Sequence, residues 1–419
     1  MEHVSTTLSA AQYIEREDLY GAHNYHPLPV VIERGEGIYV WDVEGNKYMD
    51  FLSAYSAVNQ GHCHPAIIQS LVTQAQKLTL SSRAFYNNQL GHFEKLMCQH
   101  FGYQKLLPMN TGAEAVETAI KLCRKWAYTK RNIKDGEAKI IVFEGNFHGR
   151  TLIPVSMSTD PSSYSGFGPY VPGFIKLPYN DIDALTQAFH QDVNIAGLIV
   201  EPIQGEAGVV PAEDSFLMAA RNLCSQHKAL FIADEIQTGL CRTGKMLACD
   251  YTGIRPDILI LGKALSGGVL PVSAVLADDE IMLCIHPGEH GSTFGGNPLA
   301  SKVAVTAFKV LLEENLADNA MQQGEWLRER LTALQKKYPI IQTVRGRGLL
   351  NAIVIHTDED SQAAWNLCIE MAKHGLLAKP THGNIIRLAP PLCITRDEIE
   401  MAIVAIERSL QSMNQSSLK

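Results

Sequence analysis

Two short apolar runs in this chain stop at side chains able to do chemistry. Ala229 to Ala233 ends at Asp234 and Glu235, with Ile236 and Gln237 next, and Ile258 to Leu261 ends at Gly262 and Lys263. Runs of this length, apolar throughout, fit strands buried on both faces. Ligands of a parallel sheet bind in the crevice outside the carboxyl ends of its strands, so an acid and a lysine at two such ends face one site. A lysine partly withdrawn from water there loses its proton easily and becomes a nucleophilic amine.

This pairing suits pyridoxal phosphate. Lys263 has the placement of a Schiff-base lysine, and Asp234 that of the carboxylate that keeps the pyridine nitrogen protonated, without which the ring is a poor electron sink. Gln237 is placed to donate to the ring's phenolic oxygen and Ile236 to cover one ring face. A helix is expected over 110–128, where Ala113, Val116, Ile120, Cys123 and Ala127 repeat at helical spacing. Thr111 with Glu114 forms a capping box at its start, and the exposed amides of Thr111, Gly112 and Ala113 at a positive helix end make a phosphate seat. Phe147 offers a stacking ring, with His148 beside it, and Arg150 is a carboxylate fork. A third buried-type strand ends at Glu201, and the loop after it is expected to place Glu206 at a strand end like Asp234; Ser292 and Thr293 sit among four glycines in a loop built for close backbone approach. Arg387 lies in a short strand near the carboxyl end.

Each feature has a plainer counterpart. An acidic pair ending a strand is often only solvated, and a lone lysine commonly snorkels to water. The segment Gly239 to Lys245 matches the phosphate-cradling pattern G-x-x-x-x-G-K, but Met246 then stands where a hydroxyl should bind magnesium. A nucleotide-binding module is the alternative it would support. The stretch 258–277 carries only Lys263 as a charge, yet three glycines and Pro271 make it strand, turn and strand rather than a membrane helix. His62 and His64 bracket Cys63 without further ligands nearby, so a structural loop beginning near Tyr55 is expected, and no metal site.

The 419 residues suit one large domain plus a smaller one. A net charge of −8 without a basic block argues against nucleic acid or an anionic membrane as the main partner. Nine cysteines without a C-x-x-C pair fit a reducing compartment, and the first fifteen residues, acidic and free of arginine, fit a cytoplasmic protein. Residues 1 to about 20 are expected to be a mobile polar arm. A hairpin should follow over 37–51, turning at Glu44-Gly45-Asn46. Alternating short strands and helices from about 105 to 275 predict a mainly parallel sheet wrapped by helices. A long helix over 299–312 should lead out to a smaller α+β unit: a helix to Tyr338, a strand over 349–355, a helix over 361–374, a strand over 385–388 and a last helix capped by Thr395 and Glu398.

In order along the chain, Asn24 to Val31, Ser53 to Pro65, Ser81 to Asn88, Asn110 to Ala115, Gly145 to Thr151, Pro202 to Val210, Asp234 to Gly239, Leu261 to Gly268, Gly288 to Pro298, Arg345 to Ile355 and Gly375 to Pro391 resemble the motifs of the class III pyridoxal-phosphate aminotransferases of fold type I, and within them the ornithine-specific branch. The resemblance runs from about Tyr20 to about Ile406. It implies an α/β fold: a large domain (51–305) with a mainly parallel seven-stranded sheet flanked by helices, a smaller α+β domain (306–419), and residues 1–50 as an arm and hairpin belonging to the small domain. It also implies that Lys263 carries the cofactor and moves the substrate proton, that Asp234 and Gln237 hold the ring, and that Phe147, His148 and Ile236 surround it. Thr111, Gly112, Ala113 and Ser292 would hold the phosphate, with Thr293 supplied by the neighbouring subunit of a homodimer. Tyr25, Tyr55 and Arg150 would select the first amino donor, and Glu206 would neutralise Arg387 until a second carboxylate needs it. The implied reaction moves the δ-amino group of L-ornithine to 2-oxoglutarate by a ping-pong mechanism. One departure stands out: His148 occupies a position where ornithine-specific animal members have Trp. The alternative within the class is another ω-aminotransferase, acting on N-acetylornithine or 4-aminobutyrate.

Overall fold

The computed structural model describes residues 8–416. Its centre is a seven-stranded sheet in the order Lys105–Met109, Ser273–Ala277, Ile258–Leu261, Leu230–Asp234, Ile195–Val200, Lys139–Phe143, Phe174–Leu177. All neighbours run parallel except Ser273–Ala277, which is antiparallel to both of its partners. Leu230–Asp234, Ile258–Leu261 and Ile195–Val200 are buried at every position. Their continuous apolar composition follows from helices on both faces. The two runs that carry Asp234 and Lys263 are adjacent strands in parallel register, with Asp234 opposite Ile260, so both strands deliver their chemistry to the same edge of the sheet.

The helix expected over 110–128 spans Gly112–Lys130. Thr111 caps it as its spacing predicts: the Glu114 amide donates to Thr111 Oγ1 at 3.2 Å and the Thr111 amide to Glu114 Oε2 at 2.8 Å. Ala115, Val116, Ala119, Ile120, Cys123 and Ala127 are fully buried against the sheet.

A four-stranded antiparallel sheet is ordered Ile341–Arg347, Leu350–Ile355, Ile385–Leu388, Lys379–His382, and the helices Leu316–Lys337, Ala363–Lys373 and Arg396–Ser416 belong to the same part of the chain. The amino-terminal hairpin, Tyr39–Asp42 and Lys47–Asp50, joins the strand Leu376–Leu377 in a separate sheet. Sequence periodicity missed Ile341–Arg347 and Lys379–His382, because glycine, arginine and proline interrupt their alternation. The expected mobile arm is also corrected in part. Residues 1–7 lie outside the described residues, but Ala10–Tyr20 is a helix with a complete capping box between Ser9 and Gln12. None of its residues is buried, which explains why no apolar stripe announced it.

The loop 239–245 is not a phosphate cradle. Its amides bond within the turn, Gly239 to the Glu235 carbonyl and Gly244 to the Cys241 carbonyl. Arg242, fully buried, donates to Asn59 Oδ1 at 3.1 Å, the Leu349 carbonyl at 3.0 Å and the Pro390 carbonyl at 2.6 Å, so the loop ties the central sheet to the carboxyl-terminal part. Among the described residues no helix is long and apolar enough to cross a membrane.

Candidate active site

Lys263 leaves its strand after Gly262 and begins a single 3₁₀ turn, itself at φ 42°. Burial pushes its ammonium pKa down, opposed by the nearby Glu206 charge. A half-buried lysine so biased is an amine ready to attack a carbonyl and to take up a proton afterwards. It lines a cavity of about 880 Å³ together with Tyr25, Tyr55, Phe147, Arg150 and Glu206. Those five side chains, spread over residues 25–206, are brought to one lysine by the fold.

Asp234 sits behind this cavity, 4 % exposed. One of its oxygens accepts from the Ile236 amide at 3.1 Å and the other is 2.7 Å from His148 Nδ1. Burial opposes the charged form of His148, but the hydrogen bond and charge of Asp234 outweigh it and raise the imidazole's pKa. The Asp234–His148 bond was not anticipated from sequence; two residues 86 positions apart meet only because their strands are near neighbours in the sheet. Glu201, noted in the sequence only as a strand end, accepts from the Phe147 amide at 2.8 Å and the Gly205 amide at 3.4 Å. Burial raises its pKa to about 7, moderated by the His148 charge. Glu235, the second acid of the pair, is structural: fully buried, it accepts from the Ala248 and Cys249 amides at 3.0 and 2.8 Å.

The second cluster joins residues 206, 237 and 387. Arg387, 2 % exposed, bonds Glu206 Oε1 at 2.5 Å and Gln237 Oε1 at 3.2 Å, while Gln237 Nε2 donates to Glu206 Oε1 at 3.2 Å. Gln237 is thus engaged with the Arg387–Glu206 pair through both ends of its amide, and the second hydrogen of Nε2 is what remains for its expected donation to a ring oxygen. Gly205 makes room for this amide: a Cβ there would stand 1.7 Å from Gln237 Oε1. Glu206 does not end a strand of the large sheet as expected; it sits in the turn between the short strands Ile203–Gln204 and Val210–Pro211. Burial alone would raise the Glu206 pKa, but the charges of Arg387 and Lys263 with two hydrogen bonds lower it to about 2.

A folded-state pKa below the free value near 4.5 means that this interaction stabilises the fold fully above that value and is lost as pH falls through about 2. Glu206→Gln should therefore unfold at lower denaturant than the wild type from neutral pH down to about 5, by on the order of 2–3 kcal/mol. The gap should close between about pH 4.5 and 2 in urea titrations.

Tyr55 is held on a segment that sequence periodicity could not foresee. Ser53, Ala54, Tyr55 and Ser56 have φ values of 50°, 46°, 59° and 72°, one left-handed turn made of four non-glycine residues. Left-handed backbone costs roughly 1–2 kcal/mol per such residue. The turn sets the Tyr55 ring 5.2 Å from the Arg387 guanidinium carbon. Arg150 is exposed, its guanidinium 5.5 Å from the Phe147 ring, and Tyr25, 68 % exposed, lies 5.6 Å from Lys379 Nζ.

These residues fit pyridoxal phosphate. The Gly112 and Ala113 amides lie beyond the helix's own hydrogen-bond ladder at its positive end. A Cβ at Gly112 would stand 3.1 Å from Ile236 Cδ1, and Ser273 Oγ donates to the Thr111 carbonyl at 2.8 Å, which seats the helix start beside the Asp234 strand end. Asn110 Nδ2 donates to Ser292 Oγ at 2.7 Å and draws the loop of Ser292 to the same place. Thr293, one residue on, is exposed and does not line the cavity. Arg387 Nε and His148 Nε2 are buried without a partner, polar atoms that a bound group can satisfy.

The family model described as aminotransferase class-III matches residues 20–410. A rat protein named ornithine aminotransferase, mitochondrial, is 59 % identical over 96 % of this chain and 91 % of its own length. The solved ornithine aminotransferase of Toxoplasma gondii, described with pyridoxal phosphate partly occupying its active site, superposes with a TM-score of 0.95 at 44 % identity over 99 % of this chain and 97 % of its own. The acetylornithine aminotransferase of Elizabethkingia anophelis superposes with a TM-score of 0.90 at 53 % identity, over 97 % of this chain and all of its own. With a family match across 20–410 and a matching fold, this chain belongs to the class III aminotransferases.

Proposed function

We propose that the protein uses pyridoxal 5'-phosphate to transfer the δ-amino group of L-ornithine to 2-oxoglutarate, giving glutamate 5-semialdehyde and L-glutamate. The carrying observation is Arg387, buried, paired with Glu206 and 5.2 Å from the Tyr55 ring, two residues that line the same cavity as Lys263. Ornithine must react through its terminal amine and glutamate through its α-amine, so one pocket has to read two carboxylate placements. While Glu206 neutralises Arg387, no second carboxylate is attracted there and the terminal amine can approach. When Glu206 withdraws, the guanidinium is free to pair with the extra carboxylate of glutamate or 2-oxoglutarate. An unpaired buried charge is costly, which makes exchange of one carboxylate partner for another the favourable course.

The bound cofactor supplies an electron sink for the carbanion left when the substrate carbon loses its proton. The chain's own residues do the rest. Lys263 holds the cofactor covalently between turnovers and carries the substrate proton. Asp234, oriented by His148, keeps a positive charge on the ring nitrogen. Gly112 and Ala113, with Thr111 and Ser292 close by, receive the phosphate, and Phe147 and Ile236 enclose the ring and exclude water. Tyr25, Tyr55 and Arg150 receive the α-carboxylate and α-amine of ornithine. The exposure of Thr293 supports a homodimer in which it completes the partner's phosphate site. The shared sheet of the hairpin and Leu376–Leu377 supports assigning 1–50 to the small domain with 306–419, apart from 51–305. Nine free cysteines support a reducing compartment, for which we propose the cytoplasm.

An absorbance titration of the holoenzyme tests the reading. The near-visible band should bleach with L-ornithine and return with 2-oxoglutarate. Bleaching by N-acetylornithine or 4-aminobutyrate but not by ornithine would keep the transaminase and discard the substrate. Tyr55→Ile should lower kcat/KM for ornithine by about 10–100-fold and raise it for 4-aminobutyrate, because the lost hydroxyl and ring open the space beside Arg387. Steady-state kinetics with both amines decides this.

A further inference from the structure

Four consecutive left-handed residues without glycine do not persist unless something outside the turn holds them. The serines at either end do not: Ser53 Oγ and Ser56 Oγ are buried and without hydrogen-bond partners. Backbone bonds close the turn, Tyr55 to the Leu52 carbonyl at 3.0 Å and Ala57 to the Ser53 carbonyl at 2.9 Å, but these would equally close a right-handed one. What enters from outside is Asp50, the last residue of the hairpin strand. Its Oδ1 accepts from the amides of Leu52 and Ser53 at 2.8 and 2.9 Å, fixing the direction in which the chain enters the turn. Its Oδ2 is 2.7 Å from His62 Nε2.

His62 is anchored in its own right. Its backbone pairs with Gly37 in both directions, at 3.1 and 2.8 Å. Its ring lies so close to Gly35 that a Cβ there would stand 2.9 Å from it. The strand carrying Asp50 is tied equally firmly, the Asp50 amide to the Ile38 carbonyl and the Phe51 amide to the Leu377 carbonyl, each at 2.8 Å. A rigid hairpin thus reaches the active site through one histidine and one aspartate, and the far end of this chain of contacts is the Tyr55 ring on Arg387.

We infer that Asp50, oriented by His62, is a positioning residue that sets amino-donor specificity by holding the left-handed turn that presents Tyr55 to Arg387. This rests on the ornithine reading above. Neither residue lines the cavity, so neither contacts a substrate there, and a change in the ratio between two amines reports where Tyr55 stands.

The test uses the holoenzyme and measures kcat and KM for L-ornithine and 4-aminobutyrate in the wild type, Asp50→Ala, Asp50→Asn, Tyr55→Ile and the Asp50→Ala/Tyr55→Ile double variant. Asp50→Ala should lower the ornithine to 4-aminobutyrate ratio of kcat/KM by about 10-fold, mainly through a higher KM for ornithine. Asp50→Asn, which keeps an oxygen for the Leu52 and Ser53 amides, should restore most of the ratio. In the Tyr55→Ile background, Asp50→Ala should change the ratio little further, because both act on the same ring. If Asp50→Ala does not fold, His62→Ala serves in its place, with His62→Gln, which can still donate to Asp50, as the rescue. Equal losses for both amines, no rescue by the conservative variant, or full additivity with Tyr55→Ile would each overturn the inference. A wild-type enzyme that does not convert ornithine overturns the functional reading, and this inference with it; conversion of ornithine with an unaltered ratio in the variant overturns the inference alone.

Discussion

Lys263→Ala is expected to abolish turnover, with kcat reduced by ~10⁴-fold or more, since on the proposed function it removes both the covalent anchor and the proton carrier. A second readout separates this from a general loss of structure. After borohydride treatment and denaturation, the wild-type chain should keep the cofactor's mass and the variant should not. The fold should survive, because removing a partly desolvated ammonium relieves a desolvation cost, and desolvation is the main cause of the lysine's lowered pKa. Urea unfolding of the apoproteins should place the variant at or above the wild type. A variant that keeps more than about a tenth of the wild-type rate would assign the chemistry to another amine.

Asp234→Ala should be the next most damaging change. On the proposed function it removes the charge that would face the ring nitrogen, and it also removes the partner 2.7 Å from His148 Nδ1. A loss in kcat of about 10²–10⁴-fold is expected, in the range seen when a preorganised electrostatic partner is deleted. Cofactor affinity should fall with it, measured by reconstituting the apoprotein with increasing pyridoxal phosphate. His148 supplies a further check. Burial opposes its charge and Asp234 restores it, so in the variant the imidazole should titrate well below its wild-type position, visible by NMR of the apoprotein. Asp234→Asn keeps a hydrogen-bonding side chain but not the charge, and should recover the fold and cofactor affinity better than the rate. Equal recovery of both would mean that Asp234 only orients the ring.

The amino-acid sequence by itself determined the elements whose pattern is local. The strands ending at Asp234 and Lys263 were legible because burial on both faces requires apolar residues throughout, and the helix over 112–130 because its period and its Thr111–Glu114 capping box lie within a few residues of each other. The ordered series of motifs then implied the cofactor, the seven-stranded sheet and a set of site residues, of which the fold brings Tyr25, Tyr55, Phe147, Arg150, Glu206 and Lys263 to one cavity. Tertiary structure decided what depends on residues far apart: that His148 rather than solvent takes the second Asp234 oxygen, that Glu235 anchors a loop instead of the ligand, and that Gln237 joins Arg387 across 150 positions. It also decided the sign of φ from Ser53 to Ser56. Side-chain type makes a left-handed serine, alanine or tyrosine unfavourable, so only contacts made after folding, here Asp50 on the Leu52 and Ser53 amides, could hold Tyr55 in that conformation.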